Sequence, residues 1–229
     1  MLFTAIAWPV FLSMILDTDV YCTVAASSVT LCCEIDNGKP MNAANTRSPR
    51  VPVALVKAPD FTSLNLRLRE HLIKLSQSAP DQGSNNPTGK SFFQNKWLSR
   101  DQLHKSDNKD LQSLKTFAEQ AANRLLSPQT PGRVLSTTSM WSIISEVGLT
   151  GIRHSHKGRI SCAYYVDAGS SGESDGGRIQ FYHRAGLSRP AHSLTPESGL
   201  LLLFPSSLEH SVSAYTGESR RIVISINMS

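Results

Sequence analysis

The chain has 229 residues, 40% of them apolar, and a net charge of +5. That length and apolar share exclude a globally disordered chain and provide for one domain of ordinary to large size. The basic excess is scattered, with no Lys/Arg run and no interleaved aromatic stripe, so it reads as a solvated surface rather than a nucleic-acid footprint.

Residues 2–16 form an apolar run that is too short for a membrane span. It resembles the apolar core of a signal peptide, yet no Lys or Arg precedes it. Asp17 and Asp19 follow, and Ala25-Ala26-Ser27 imitates a cleavage site. Residues 1–40 carry Asp17, Asp19, Glu34 and Asp36 against Lys39, so the basic excess resides in the rest of the chain. Three readings stay open for this stretch: an extension ahead of a true start at Met41, a targeting segment, or a membrane anchor. Cys22, Cys32 and Cys33 lie within it and only Cys162 beyond it, which is no disulfide framework. Cys162 reads as a small buried hydrophobe. The bulk therefore reads as reduced and cytoplasmic, with targeting or membrane association through residues 1–40 as the alternative.

From there the pattern predicts a strand at 50–57. Phe61, Leu64, Leu68, Leu72 and Leu75 recur at helical spacing behind Asp60 as N-cap. Residues 77–96 are rich in Ser, Asn, Pro and Gly and read as a loop, expected over the mouth of the jelly roll that follows. A second amphipathic helix is expected over 108–126, with Leu111, Leu114, Phe117, Ala118, Ala121 and Leu125 on its apolar face and Pro128 and Pro131 beyond its end. After Gly132 the period changes to two. Strands are expected at 133–138, 140–146, 149–154, 160–166, 178–182, 200–204, 209–215 and 219–227, with Gly-rich turns between them. About eight such strands predict a mainly β, double-sheet jelly roll, with the two helices covering one sheet (α+β). The domain expected is 41–229, with its helical part at 58–130 and its jelly-roll core at 133–229.

Residues i and i+2 of a strand share a face, so His154 and His156 aim two imidazoles at one point. His210 offers a third on a later strand, beside Arg221. Three neutral imidazoles suit a divalent, iron-like metal. An arginine fork suits a carboxylate. Arg221, Val223, Ser225 and Asn227 alternate onto one face, which brings the Ser225 hydroxyl toward the same place. Tyr164 shares the parity of His154 and His156 and is a further hydroxyl candidate, with aromatic packing as the alternative. Trp141 reads as core, and Glu209 and His183 receive no role.

These segments resemble the 2-oxoglutarate/Fe(II)-dependent oxygenases, and specifically a small family of bacteria, phages and marine microbes with an HxH…H…R pattern. The resemblance spans about residues 50–229. It rests on Trp97-Leu98-Ser99, Trp141-Ser142-Ile143, His154-Ser155-His156 with Ser161 and Tyr164-Tyr165-Val166, Gly177 to Phe181, Gly199 to Ser206, His210, and Arg221 with Ser225 and Asn227. It implies a double-stranded β-helix, Fe(II) held by His154, His156 and His210, and 2-oxoglutarate as co-substrate with its distal carboxylate on Arg221. The wider superfamily has a carboxylate where this chain has His156, so a site built from His154 or His156 with Asp175 stays open. The implied reaction hydroxylates a substrate while 2-oxoglutarate becomes succinate. A three-His, cupin-like dioxygenase without 2-oxoglutarate and a non-enzymatic jelly-roll binding module are the rivals. The substrate, small molecule or peptide, and the oligomeric state are open.

Overall fold

The computed structural model describes residues 53–82, 96–126, 132, 134–148, 150–169, 176–182 and 189–229, together with the backbone of two short strands nearer the N-terminus. Those two, β1 (Leu12–Met14) and β2 (Cys22–Val24), pair antiparallel. The rest of the N-terminal stretch, the loop at 83–95, the candidate ligand Asp175 and the unassigned His183 lie outside the described residues.

The remaining elements follow in order: β3 (Ala54–Lys57), α1 (Phe61–Ser78), β4 (Lys96–Leu98), a 3-10 turn at Leu103–Lys105, α2 (Lys109–Leu126), β5 (Thr137–Ser145), β6 (Gly151–His154), β7 (Ile160–Asp167), β8 (Ile179–Tyr182), β9 (His192–Leu194), β10 (Leu200–Pro205), β11 (Glu209–Val212) and β12 (Arg221–Met228). They form the expected jelly roll of two antiparallel sheets. One runs β3-β10-β7-β12-β5-β4 and the other β6-β11-β8-β9. β3 and β4, from the part of the chain that also holds the helices, supply both edges of the larger sheet.

Alternation along β12 shows how the layers are made. Ile222, Ile224, Ile226 and Met228 are fully buried and belong to a core shared with Leu68 and Leu72 of α1 and Leu111 and Leu114 of α2. The opposite face carries Arg221, Val223, Ser225 and Asn227. Val223 packs there on a second core between the sheets, formed by Ala163, Tyr165, Ile179, Phe181, Leu202 and Phe204. The helices thus cover the outer face of the larger sheet, as the two-period and helical patterns predict.

Some expectations need correcting. The strands expected at 133–138 and 140–146 are one, β5, because nothing interrupts its pairing with β12 from Arg221↔Ser145 to Asn227↔Ser139. Asp60 occupies the N-cap position of α1 in a left-handed conformation (φ 48°) and makes no side-chain cap. The working cap belongs to α2, where Asn108 Oδ1 accepts from the main-chain N–H groups of Asp110 and Leu111 at 3.0 and 3.1 Å. Among the described residues no helix is long and apolar enough to cross a membrane.

Candidate active site

His154 ends β6 and His210 lies on β11, directly opposite it in the antiparallel register. Their ring centroids are 4.4 Å apart. His156 stands in the loop after β6, where its main-chain N–H donates to the Ser206 carbonyl at 2.8 Å. This brings its ring to 4.9 Å from His154 and 5.0 Å from His210. The ligand atoms of all three lie within 4.8 Å of one another. Nδ1 of His154 is 2.8 Å from the Ile152 carbonyl, and Nδ1 of His210 is 3.0 Å from the Leu208 carbonyl. A neutral imidazole that donates from Nδ1 keeps the Nε2 lone pair for a metal.

The same environment keeps the rings neutral. Burial, reinforced by the neighbouring imidazoles, pushes His156 down to about 4 and His210 to about 3. Burial also lowers His154, with the Lys96 ammonium adding to the effect. Among the described residues no carboxylate joins the cluster. Glu209, next to His210, is held by the Arg153 guanidinium at 2.5 Å.

The cluster opens into a cavity of about 520 Å³ between the two sheets. Its walls include Trp141, Ile143, Phe204 and Val223, with Arg221 as a buried cation. Arg221 is fixed by its surroundings. Nε donates to the Ala168 carbonyl at 2.8 Å and Nη1 to the Gly177 carbonyl at 2.5 Å. The guanidinium also stacks 4.2 Å from the centre of the Tyr215 ring. Gly177 has φ +64°, and a Cβ there would stand 2.8 Å from the guanidinium carbon.

Of the residues singled out in the sequence, His154, His156, His210, Arg221 and Ser225 meet in this cavity. Tyr164 does not. It faces the helices, and its hydroxyl donates to Asn65 Oδ1 of α1 at 2.7 Å. The parity argument fails because His154 belongs to the other sheet and residues 155–159 do not continue the strand. Tyr165 lines the cavity instead. Burial pushes its hydroxyl up to about 12 while the Arg221 charge pulls the other way. Trp141 is half-buried in the cavity wall, 5.5 Å from the His156 ring, and not core. Lys96 also borders the cavity, and burial brings its ammonium down to about 8 against the attraction of Asp81. Only the alternation of β4 onto the face of Ile143 and Ser145 signals Lys96 and Leu98, and three residues are too few to show it in sequence.

The donor set fits the group expected here. Imidazole suits iron, and three on one side leave the other coordination positions to small ligands. A rigid guanidinium in the same cavity fits a carboxylate.

A jelly roll with a three-histidine cluster and an arginine in its mouth defines a class, and the comparisons with known proteins agree. Residues 139–227, from β5 to β12, match the family model described as "Putative 2OG-Fe(II) oxygenase". That family implies Fe(II) and 2-oxoglutarate as cofactor and co-substrate. No curated protein matches the chain. Among solved structures it is similar to a Pseudomonas putida prolyl-4-hydroxylase, with 14% identity, TM-score 0.57, and 77% of this chain and 91% of that one covered. It is also similar to a Trichoplax adhaerens prolyl hydroxylase in complex with a hypoxia inducible factor peptide, with 16% identity, TM-score 0.56 and coverage of 77% and 82%. A third is HygX of Streptomyces hygroscopicus with nickel and 2-oxoglutarate bound, with 13% identity, TM-score 0.53 and coverage of 78% and 83%. At these identities the likeness shows the fold.

Proposed function

We propose that the protein is an Fe(II)- and 2-oxoglutarate-dependent hydroxylase acting on a small-molecule or peptide substrate. The observation that carries this reading is the convergence of three neutral imidazoles, ligand atoms within 4.8 Å, in one cavity with the buried Arg221. His154, His156 and His210 hold the metal. The Ile152 and Leu208 carbonyls fix the tautomers of His154 and His210 and keep their Nε2 atoms available. Arg221 takes the distal carboxylate of 2-oxoglutarate, and its contacts with Ala168, Gly177 and Tyr215 settle its position before the ligand arrives. Tyr165 and Ser225 add hydroxyls to the same cavity. Its apolar walls exclude water and so strengthen the Arg221–carboxylate attraction. When bound, Fe(II) would supply dioxygen activation, with one oxygen atom going to 2-oxoglutarate as it loses CO2 to become succinate and the other inserted into a substrate C–H bond.

Arg221 favours this reading over a three-His dioxygenase that uses no 2-oxoglutarate. The test is oxygen-dependent formation of succinate from 2-oxoglutarate by the Fe(II)-loaded protein. Loss in His210→Ala and a KM for 2-oxoglutarate raised at least tenfold in Arg221→Met are expected. Loaded, folded protein that forms no succinate overturns the proposal.

A further inference from the structure

Two of the three imidazoles are placed by strand register, and each turns Nδ1 to the carbonyl two residues before it. His156 has neither support. It stands in the loop after β6, and among the described residues no hydrogen bond reaches its ring. Its place depends on the main chain. The His156 N–H donates to the Ser206 carbonyl at 2.8 Å, and the Ser206 N–H donates to the Arg159 carbonyl at 3.1 Å. One residue thus straps both ends of the segment 156–159 to the turn between β10 and β11. Gly158, with φ +112°, packs on that residue, since a Cβ there would stand 3.5 Å from Ser206 Oγ. Ser206 is fully buried, and a row of side chains holds it. Its hydroxyl oxygen is 2.9 Å from that of Ser161. Ser161 donates to Asn227 Oδ1 at 2.8 Å, and Asn227 Nδ2 donates to Ser139 Oγ at 3.2 Å. A hydroxyl has one proton, so Ser206 is the donor to Ser161. Ser139, Asn227 and Ser161 are direct partners in the β5–β12 and β12–β7 registers. The row therefore anchors the His156 strap to three strands of the larger sheet. A buried polar network whose groups find partners fixes one arrangement.

We propose that Ser206 is a positioning residue for the metal ligand His156, and that the row of Ser161, Asn227 and Ser139 fixes it in that role. The inference rests on the reading of the three histidines as metal ligands given above. The partner that orients a ligating imidazole tunes metal affinity. For His154 and His210 that partner bonds the ring itself. For His156 the fixing acts through the loop, so loss of the Ser206 hydroxyl frees the ring from the point it shares with the other two.

The test reads dissociation constants for Ni(II) by calorimetry on the full chain. Ni(II) binds imidazole sites more tightly than Fe(II), which keeps a two-histidine variant measurable. Ser206→Ala is expected to weaken Ni(II) about tenfold, as removal of an outer support of a ligand does. In the His156→Ala background the same substitution is expected to cost nothing more, because the ligand through which Ser206 acts is gone. Asn227→Ala, in the half-buried part of the row, is expected to show a smaller loss with the same dependence on His156, and it carries the test if Ser206→Ala does not fold. Unchanged Ni(II) affinity in the folded variant overturns the proposal. So does an equal loss in the parent and His156→Ala backgrounds, which assigns the row to the structure alone. A parent protein that binds no Ni(II), or binds it no better than His156→Ala does, removes the three-histidine reading and the proposal with it, a failure distinct from the other two.

Discussion

Each imidazole of the cluster must stay neutral to bind a metal, and its surroundings ensure this at a cost in acid. A free histidine titrates near 6.5. In the folded chain burial brings His156 to about 4 and His210 to about 3. Below about pH 6.5 the unfolded chain therefore takes up protons that the folded chain refuses. Stability is fully present above that pH and falls as the pH drops toward 4. Melting temperatures of the metal-free protein should decline across this window, and His156→Gln should flatten the decline. A parent profile with no slope between pH 6.5 and 4 contradicts the burial account. The spacing His154-x-His156 and the place of His210 and Arg221 in one cavity were legible because residue type and chemistry coincide there. The inward tyrosine was not. Seven of the eight residues of β7 are buried, so no polar alternation marks which of Tyr164 and Tyr165 faces the site.

Gly177 acts at the same scale. With φ +64° and no room for a Cβ beside the guanidinium, it is a position that only glycine fits. Gly177→Ala should displace Arg221 and weaken 2-oxoglutarate by tenfold or more while iron binding persists. Equal affinity in the variant shows that Arg221 does not hold the co-substrate.

At the scale of elements, the helices were legible from their apolar spacing, but the ties between helix and sheet were not. Asn123 of α2 donates to the Leu135 carbonyl at 3.0 Å and accepts from the Leu135 N–H at 2.7 Å. It thereby clamps the chain just before β5, the strand that carries Trp141 and Ser145. Asn123→Ala leaves both main-chain groups without these partners and should cost about 1–3 kcal/mol, measured by urea unfolding. A change below a few tenths of a kcal/mol means that water replaces the clamp at no cost. β4 and β9 escaped the sequence because each has only three residues, which show no period. β5 was divided at Ser139, although it is one strand whose pairing with β12 shifts register only at Thr138, between Asn227↔Ser139 and Met228↔Thr137.

For the molecule as a whole, the jelly roll converts distant segments into neighbours. The antiparallel pairing of β6 with β11 sets His154 against His210. β12, the neighbour of both β5 and β7, carries Arg221 to the wall across the cavity. Period two and Gly-rich turns announced the class of fold, yet the strand order that makes these contacts comes from pairing and leaves no mark in any one segment. The central claim is that one cavity binds Fe(II) and 2-oxoglutarate together. It is tested most directly by anaerobic titration of Fe(II) into the full chain, with and without 2-oxoglutarate, followed by the visible metal-to-ligand charge-transfer band. The account predicts a band that needs both components and is absent in His210→Ala. Folded protein that binds iron without a band on adding 2-oxoglutarate, or that binds no iron, contradicts it.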